Sequence, residues 1–288
     1  METKALSRIN KNNIKKTSPL KVLVYIILIL LMIIYLTPFL WIINVSLKTN
    51  KELYESPFAF PQVLQLGNYI YAWTKGNLGR ATVNSVIVCV VTLAICLIIG
   101  SMAAFAIGRM KWKYSRHVML YFMMGMMIPV HCVLIPLFVR FSQIGLTNSL
   151  FGLTLPYITF SLPLTIFLMV GFFRSIPKEL FETAAIDGAS IYQCFYKIAL
   201  PLSKTGLFVS GLMVFISNWN ELLLAMVFIS DPSKKTLPVT LTYFVGPYAT
   251  NYVQMFAAIV IAIAPSILVY SLFSNQIVEG LTKGAVKG

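Results

Sequence analysis

The chain is predicted to be an all-α membrane protein with six transmembrane helices. Its 288 residues are 58% hydrophobic and only 11% charged, with a mean hydropathy of +0.81, far too apolar for a soluble domain of that length. Six stretches, at approximately 22–45, 81–107, 118–139, 152–173, 205–229 and 255–274, are long and apolar enough to cross a bilayer. Each meets the requirement of about 20 apolar residues for a helix spanning a hydrocarbon core. With the N-terminus placed inside, sixteen lysines and arginines fall on the inner side and seven on the outer. That positive-inside bias puts both termini in the cytoplasm of a bacterial cell membrane.

The elements follow in order. Residues 1–20 form a basic cytoplasmic tail. The first apolar run continues through LILLMIIYLTPFLWIINV without a small-residue cleavage site, so it is expected to be a retained helix rather than a signal peptide. Together with an extracytoplasmic loop it makes a unit over 21–80. The loop's prolines and aromatics, in SPFAFPQ and NYIYAWTKGNLG, predict a short helix at the headgroup level. Residues 81–275 form a core of five further helices, in which Pro129 and Pro136 are expected to kink the third helix and Pro156 and Pro163 the fourth. Residues 276–288 form a cytoplasmic tail, with Gly280, Gly284 and Gly288 around Lys283 and Lys287; on composition alone it is a frayed end.

Several functions are set aside at this point. The net charge of +14 is accounted for by basic residues beside membrane ends, whereas a nucleic-acid partner would call for one basic face with stacking aromatics. Cys89, Cys96, Cys132 and Cys194 show no CxxC spacing and are expected to pack in cores. His117 is expected at an inner membrane interface. His131 lies in the third helix, either lining a polar cavity or, the favoured reading, buried and hydrogen-bonded. Two histidines so far apart make no metal site. The nine acids provide no catalytic constellation. No GxxxxGK[ST] phosphate cradle occurs, so ATP and its magnesium are expected on another polypeptide.

Two stretches carry functional expectations. The first is the polar loop 175–204 on the inner face. Pro177 suits a first helical turn, and a short helix follows with Leu180, Phe181, Ala184 and Ala185 on one side and Glu179 and Glu182 near its positive end. Asp187-Gly188 signals a chain reversal. Ser190 is a candidate N-cap for a second helix whose apolar residues are Ile191, Cys194, Phe195, Ile198 and Ala199, ended by Pro201. Two short helices around a small-residue corner make a knob suited to a groove on a partner. An amphipathic loop lying on the headgroups has the same pattern.

The second is Ser217-Asn218-Trp219-Asn220-Glu221 in the fifth helix. A carboxylate inside the membrane costs about 2.5–3.5 kcal/mol, so Glu221 is expected to face a polar cavity or a partner. Asn218, Trp219, Asn220 and Glu221, with His131, are candidates for lining a translocation path, the tryptophan offering a stacking face. The alternatives are a polar clamp between helices or a helix break filled by water.

PKELFETAAIDGASIYQCFYKIALPLSK resembles the EAA loop of ABC-transporter permease subunits. Glu182, Ala184, Asp187, Gly188, Ala189, Phe195, Ile198, Leu200 and Pro201 match its pattern, and Thr183 departs from it where an alanine is usual. SLKTNKEL, NYIYAWTKGNLGR, WNELLLA and EGLTKGAVKG extend the resemblance, over nearly the whole chain, to the carbohydrate-uptake group and to the shorter of its two non-identical permeases. The resemblance implies the type I ABC importer permease fold, with Glu182, Thr183, Ala184, Ala185, Asp187, Gly188, Ala189 and Phe195 forming a coupling helix seated in a cytoplasmic ATPase. It implies as partners a second permease subunit, an ATPase subunit dimer, an extracytoplasmic solute-binding protein, a sugar substrate and membrane lipid. It also implies that the C-terminal tail reaches toward the ATPase dimer. Two other classes call for different signatures. An ion-driven secondary transporter would show inverted repeats and several buried charges, and a membrane-embedded enzyme would need a cluster of acids or histidines at one face.

Overall fold

The computed structural model describes residues 19–110, 112–244 and 251–285, with side chains as far as Phe273. The basic tail with Lys4, Arg8, Lys11, Lys15 and Lys16 therefore lies outside the described residues, as do Lys111, Lys287, Gly288 and the side chain of Lys283. The described chain is helical, with four single helices long and apolar enough to cross a membrane, and six spans when each of two sharply bent helix pairs is taken as one.

α1 (Pro19–Ser46) contains a run without charge and is exposed as far as Leu40, after which its last turns are partly covered and Val45 and Ser46 are buried. α2 (Asn50–Glu55) opens with a capping box: Thr49 Oγ1 accepts from the Glu52 amide, and Glu52 Oε2 accepts from the Thr49 amide at 2.8 Å. A second amide, from Gln62, reaches Glu52 Oε1 at 3.0 Å. These amide donors hold the Glu52 carboxyl below its usual range. The buried Lys48 ammonium donates to Ser56 O at 2.8 Å and Pro57 O at 3.2 Å, and Trp41 Nε1 donates to Pro57 O at 3.1 Å. The outer loop is thereby folded back along the end of α1, and α3 (Gly67–Thr74) follows it.

α4 (Leu78–Arg109) and α7 (Leu150–Ser175) are the packed centre of the molecule. Gly100 allows their close approach, since a Cβ there would lie 2.7 Å from Thr165 Cγ2. Pro156 and Pro163 both lie inside α7, which runs uninterrupted. The third span departs from the single kinked helix expected over 118–139. α5 (Ser115–Met126) and α6 (Val130–Gln143) meet at 92°. Pro129 supplies the cause, because it lacks an N–H and drives the residue before it out of helical geometry.

After α7 come α8 (Glu179–Ile186) and α9 (Ile191–Gln193), which continues through a π-helical turn (Cys194–Ala199) into α10 (Leu200–Leu202). Pro201 does not end this helix; the chain bends by 77° after it, ahead of α11 (Lys204–Trp219). The expected continuous helix over 205–229 is also corrected. α11 stops at Trp219 and α12 (Leu223–Phe228) restarts after a gap. Local competition explains the break. The side-chain amides of Asn218 and Asn220 donate to the carbonyls of Val214 and Ile216 at 2.7 and 2.9 Å.

On the outer side, Asp231 accepts from the Ser233 amide at 2.8 Å, which lowers its carboxyl from the usual range. α13 (Leu237–Leu241) precedes α14 (Tyr252–Ala285), whose helix carries on through the segment expected as a tail from 276.

Candidate coupling surface and transmembrane cleft

The inner ends of α4 and α7 form an aromatic joint. Phe105 is buried, with its ring 5.8 Å from that of Phe173, 6.1 Å from Phe181 and 5.3 Å from Phe195. Cys194, Ala199 and Ile176 complete this core. Phe195, one of the expected coupling residues, therefore holds the loop to the membrane helices rather than pointing toward a partner. The π turn brings Cys194, Phe195 and Ala199 to the joint together. Arg109, the last residue of α4, donates from Nε to Phe173 O at 2.7 Å and from Nη2 to Ile176 O, and its guanidinium lies 5.0 Å from the centre of the Phe181 ring.

Outside this joint the knob is solvent-facing. Gly188 has φ +77°, the left-handed conformation glycine takes without strain. Ser190 caps the following helix, its hydroxyl accepting from the Gln193 amide while Gln193 Oε1 accepts from the Ser190 amide at 2.7 Å. Glu182, Thr183, Ala185, Asp187 and Gly188 are exposed, while Ala184 and Ala189 are half-buried against the joint. Leu180 and Ala185 are exposed although the helical pattern grouped them with Phe181 and Ala184. Ile186, at the tip, is 85% exposed. A groove of about 820 Å³ runs behind the knob, lined by Arg109, Arg174, Lys178, Phe181 and Glu182 among others.

A second site is a cleft of about 280 Å³ lined by His131, Tyr157, Ser161, Ser217, Asn218 and Glu221. Glu221 lies in the break between α11 and α12. It accepts from Tyr157 Oη at 2.7 Å and from the amides of Leu224 and Ala225 at 2.8 and 3.1 Å. Those amides are orphan donors of the first turn of α12, for which a carboxylate is a suitable acceptor. Asn218 donates to Ser161 Oγ at 3.0 Å, tying α11 to α7. Two candidates are not at the cleft. Trp219 is buried against α14, donating to Ala262 O at 3.1 Å and stacking on Phe215, and Asn220 is exposed elsewhere. His131 is exposed at the cleft wall, contrary to the favoured buried position, because the right-angle bend after α5 leaves α6 unpacked on that side. Cys132 beside it is exposed too, while the other three cysteines are buried as expected.

Sequence reasoning missed Arg109, Tyr157, Ser161 and Ile186. Arg109 stood only as an inner-side charge, and Tyr157 and Ser161 carried no signal that would pair them with residues some sixty positions on.

Comparisons with known proteins agree with this architecture. The chain is 34% identical over 263 residues to the diacetylchitobiose uptake system permease protein NgcG of Streptomyces coelicolor, covering 91% of this chain and 87% of that one. It is 34% identical to the trehalose/maltose transport system permease protein MalG of Thermococcus litoralis, covering 93% and 97%. A crystal structure of a bacterial ABC transporter involved in import of the acidic polysaccharide alginate matches with a TM-score of 0.79 at 23% identity, over 89% of this chain and 95% of that one. Residues 96–283 match the family pattern described as the binding-protein-dependent transport system inner membrane component. With four single apolar helices and two bent ones arranged as in solved importer permeases, this chain belongs to that family of membrane permeases.

Proposed function

We propose that this chain is one of two permease subunits of an ATP-driven sugar or oligosaccharide importer. A solute-binding protein delivers the sugar outside, and a separate ATPase dimer, holding ATP and magnesium, drives transport from the cytoplasm with both termini of this chain on that side. The observation that carries the reading is the knob at 179–190. It is held to the α4–α7 pair by a buried aromatic joint, yet it presents Leu180, Thr183, Ala185 and Ile186 uncovered. Diacetylchitobiose, trehalose and maltose, which appear in the relatives' names, indicate the substrate class.

The outer cleft lies along the translocation path, with His131 at its wall. Glu221 and Asn218 brace that wall: their described hydrogen bonds go to Tyr157, Ser161 and backbone groups of the broken span.

Gly188→Val tests the reading. A β-branched residue in the left-handed region costs about 1–2 kcal/mol of local strain, enough to displace the corner without preventing membrane insertion. Uptake of diacetylchitobiose, trehalose and maltose is measured in membranes with ATP supplied or withheld. Loss of ATP-dependent uptake with normal insertion is expected. Uptake that persists without ATP and collapses with the ion gradient would replace this reading with a secondary transporter.

A further inference from the structure

We infer that Arg109 is the positioning residue that makes the inner ends of α4 and α7 and the coupling helix α8 move as one body; the inference rests on the coupling reading above. Three elements meet at one guanidinium. It belongs to α4, it donates to the carbonyls of Phe173 and Ile176 at the end of α7, and it covers the ring of Phe181 in α8. The last carbonyls of a helix have no partner within it, so a donor there ties down the helix end. A planar fork can reach two carbonyls and lie flat on an aromatic face together, which an ammonium cannot do. The other charged groups lining the adjoining groove, Arg174, Lys178 and Glu182, are exposed and make no ion pair among the described residues. The aromatic joint alone would permit α8 to slide over Phe105, since tilted ring contacts have no fixed register. The directed bonds of Arg109 fix the guanidinium between α4 and the end of α7, and the Phe181 ring of α8 rests against that fixed plane.

Two nitroxides test the clasp, introduced by Leu180→Cys and Met102→Cys in a Cys132→Ser background. They report the separation of α8 from α4 in the full complex purified through a tag on this chain. With Arg109 present, the distance distribution is narrow and stays in place when MgATP and vanadate are added. Arg109→Gln is expected to broaden it about twofold, and vanadate then to shift it by about 2 Å, the size of an ordinary helix displacement. Arg109→Lys, which keeps the charge and loses the fork, broadens it as well. A wild-type distribution in Arg109→Gln overturns the inference. Should that variant fail to assemble, Arg109→Lys, which leaves every ring of the joint in place, decides alone; broadening there supports the clasp and an unchanged width overturns it. A single label at Asp187→Cys separates the two readings. Immobilisation by the ATPase supports coupling, and a mobile label there sinks the coupling reading alone, because the clasp is read from the other pair before nucleotide is added.

Discussion

The inner and outer halves of the α4–α7 pair use opposite means of holding a neighbour. At the inner end, Phe105, Phe173, Phe181 and Phe195 form an aromatic joint beside which one arginine bonds the end of α7. At the outer end, the neighbour is a broken span kept in place by Tyr157, Ser161, Asn218 and Glu221 around a small cleft. An apolar joint tolerates sliding and resists separation, whereas a polar brace resists both until one partner is lost.

The largest expected effect breaks the inner half. Phe195→Ala opens a cavity in the joint and costs about 3–5 kcal/mol, as aromatic truncations in cores do. The knob then detaches, and limited proteolysis within 176–200 accelerates while cleavage of the outer loops is unchanged. Equal acceleration at both ends would erase the distinction between the halves.

Next in size is the outer brace. Glu221→Ala leaves two amides and the Tyr157 hydroxyl without their acceptor, a loss of about 2–3 kcal/mol. Uptake kinetics change while the complex still assembles. Tyr157→Phe removes one of the three donors and costs about 1 kcal/mol. A double-mutant cycle read by thermal unfolding sharpens the point, since non-additivity is expected only if the two groups meet in the folded chain.

These two regions differed in how far they could be read in the sequence. Apolar length alone located all six spans, and Gly188, Ser190 and the Asp187 corner fell where turn and cap chemistry placed them. Pro129 announced a kink but not a right angle, because the angle depends on what α6 packs against. The break after Trp219 has no proline; it follows from Asn218, Asn220 and Glu221 engaging the backbone locally, a choice a helical wheel does not register. Trp219 follows Asn218 directly in α11 and faces the other way, since neighbours in a helix are turned about 100° from each other. Arg109 was invisible as a clasp because its partners, Phe173, Ile176 and Phe181, are more than sixty residues away in sequence.

The smallest effect concerns the outer loops, where pH separates them from the membrane core. Glu52 and Asp231 have carboxyls lowered by amide donors. Their contribution is fully present above the unfolded values near about 4 and is lost as pH falls through the lower folded values. Hydrogen exchange of the amides of Thr49, Gln62 and Ser233 is expected to accelerate below that pH while exchange around Phe105 stays slow. A uniform response would mean that the two outer caps do not act locally.

The right-angle elbow at Met127–Pro129 has one more consequence. Its limbs, of 12 and 14 residues, extend about 18 and 21 Å at 1.5 Å per residue, so neither crosses a slab of about 30 Å alone. The first turn of α6 begins at a proline without a side-chain cap, and the Cys132 amide closes back on Pro129 O at 3.1 Å. Acyl chains offer no acceptor of their own. Each limb therefore needs the other to complete a crossing, and the elbow is where the two shares of the span meet.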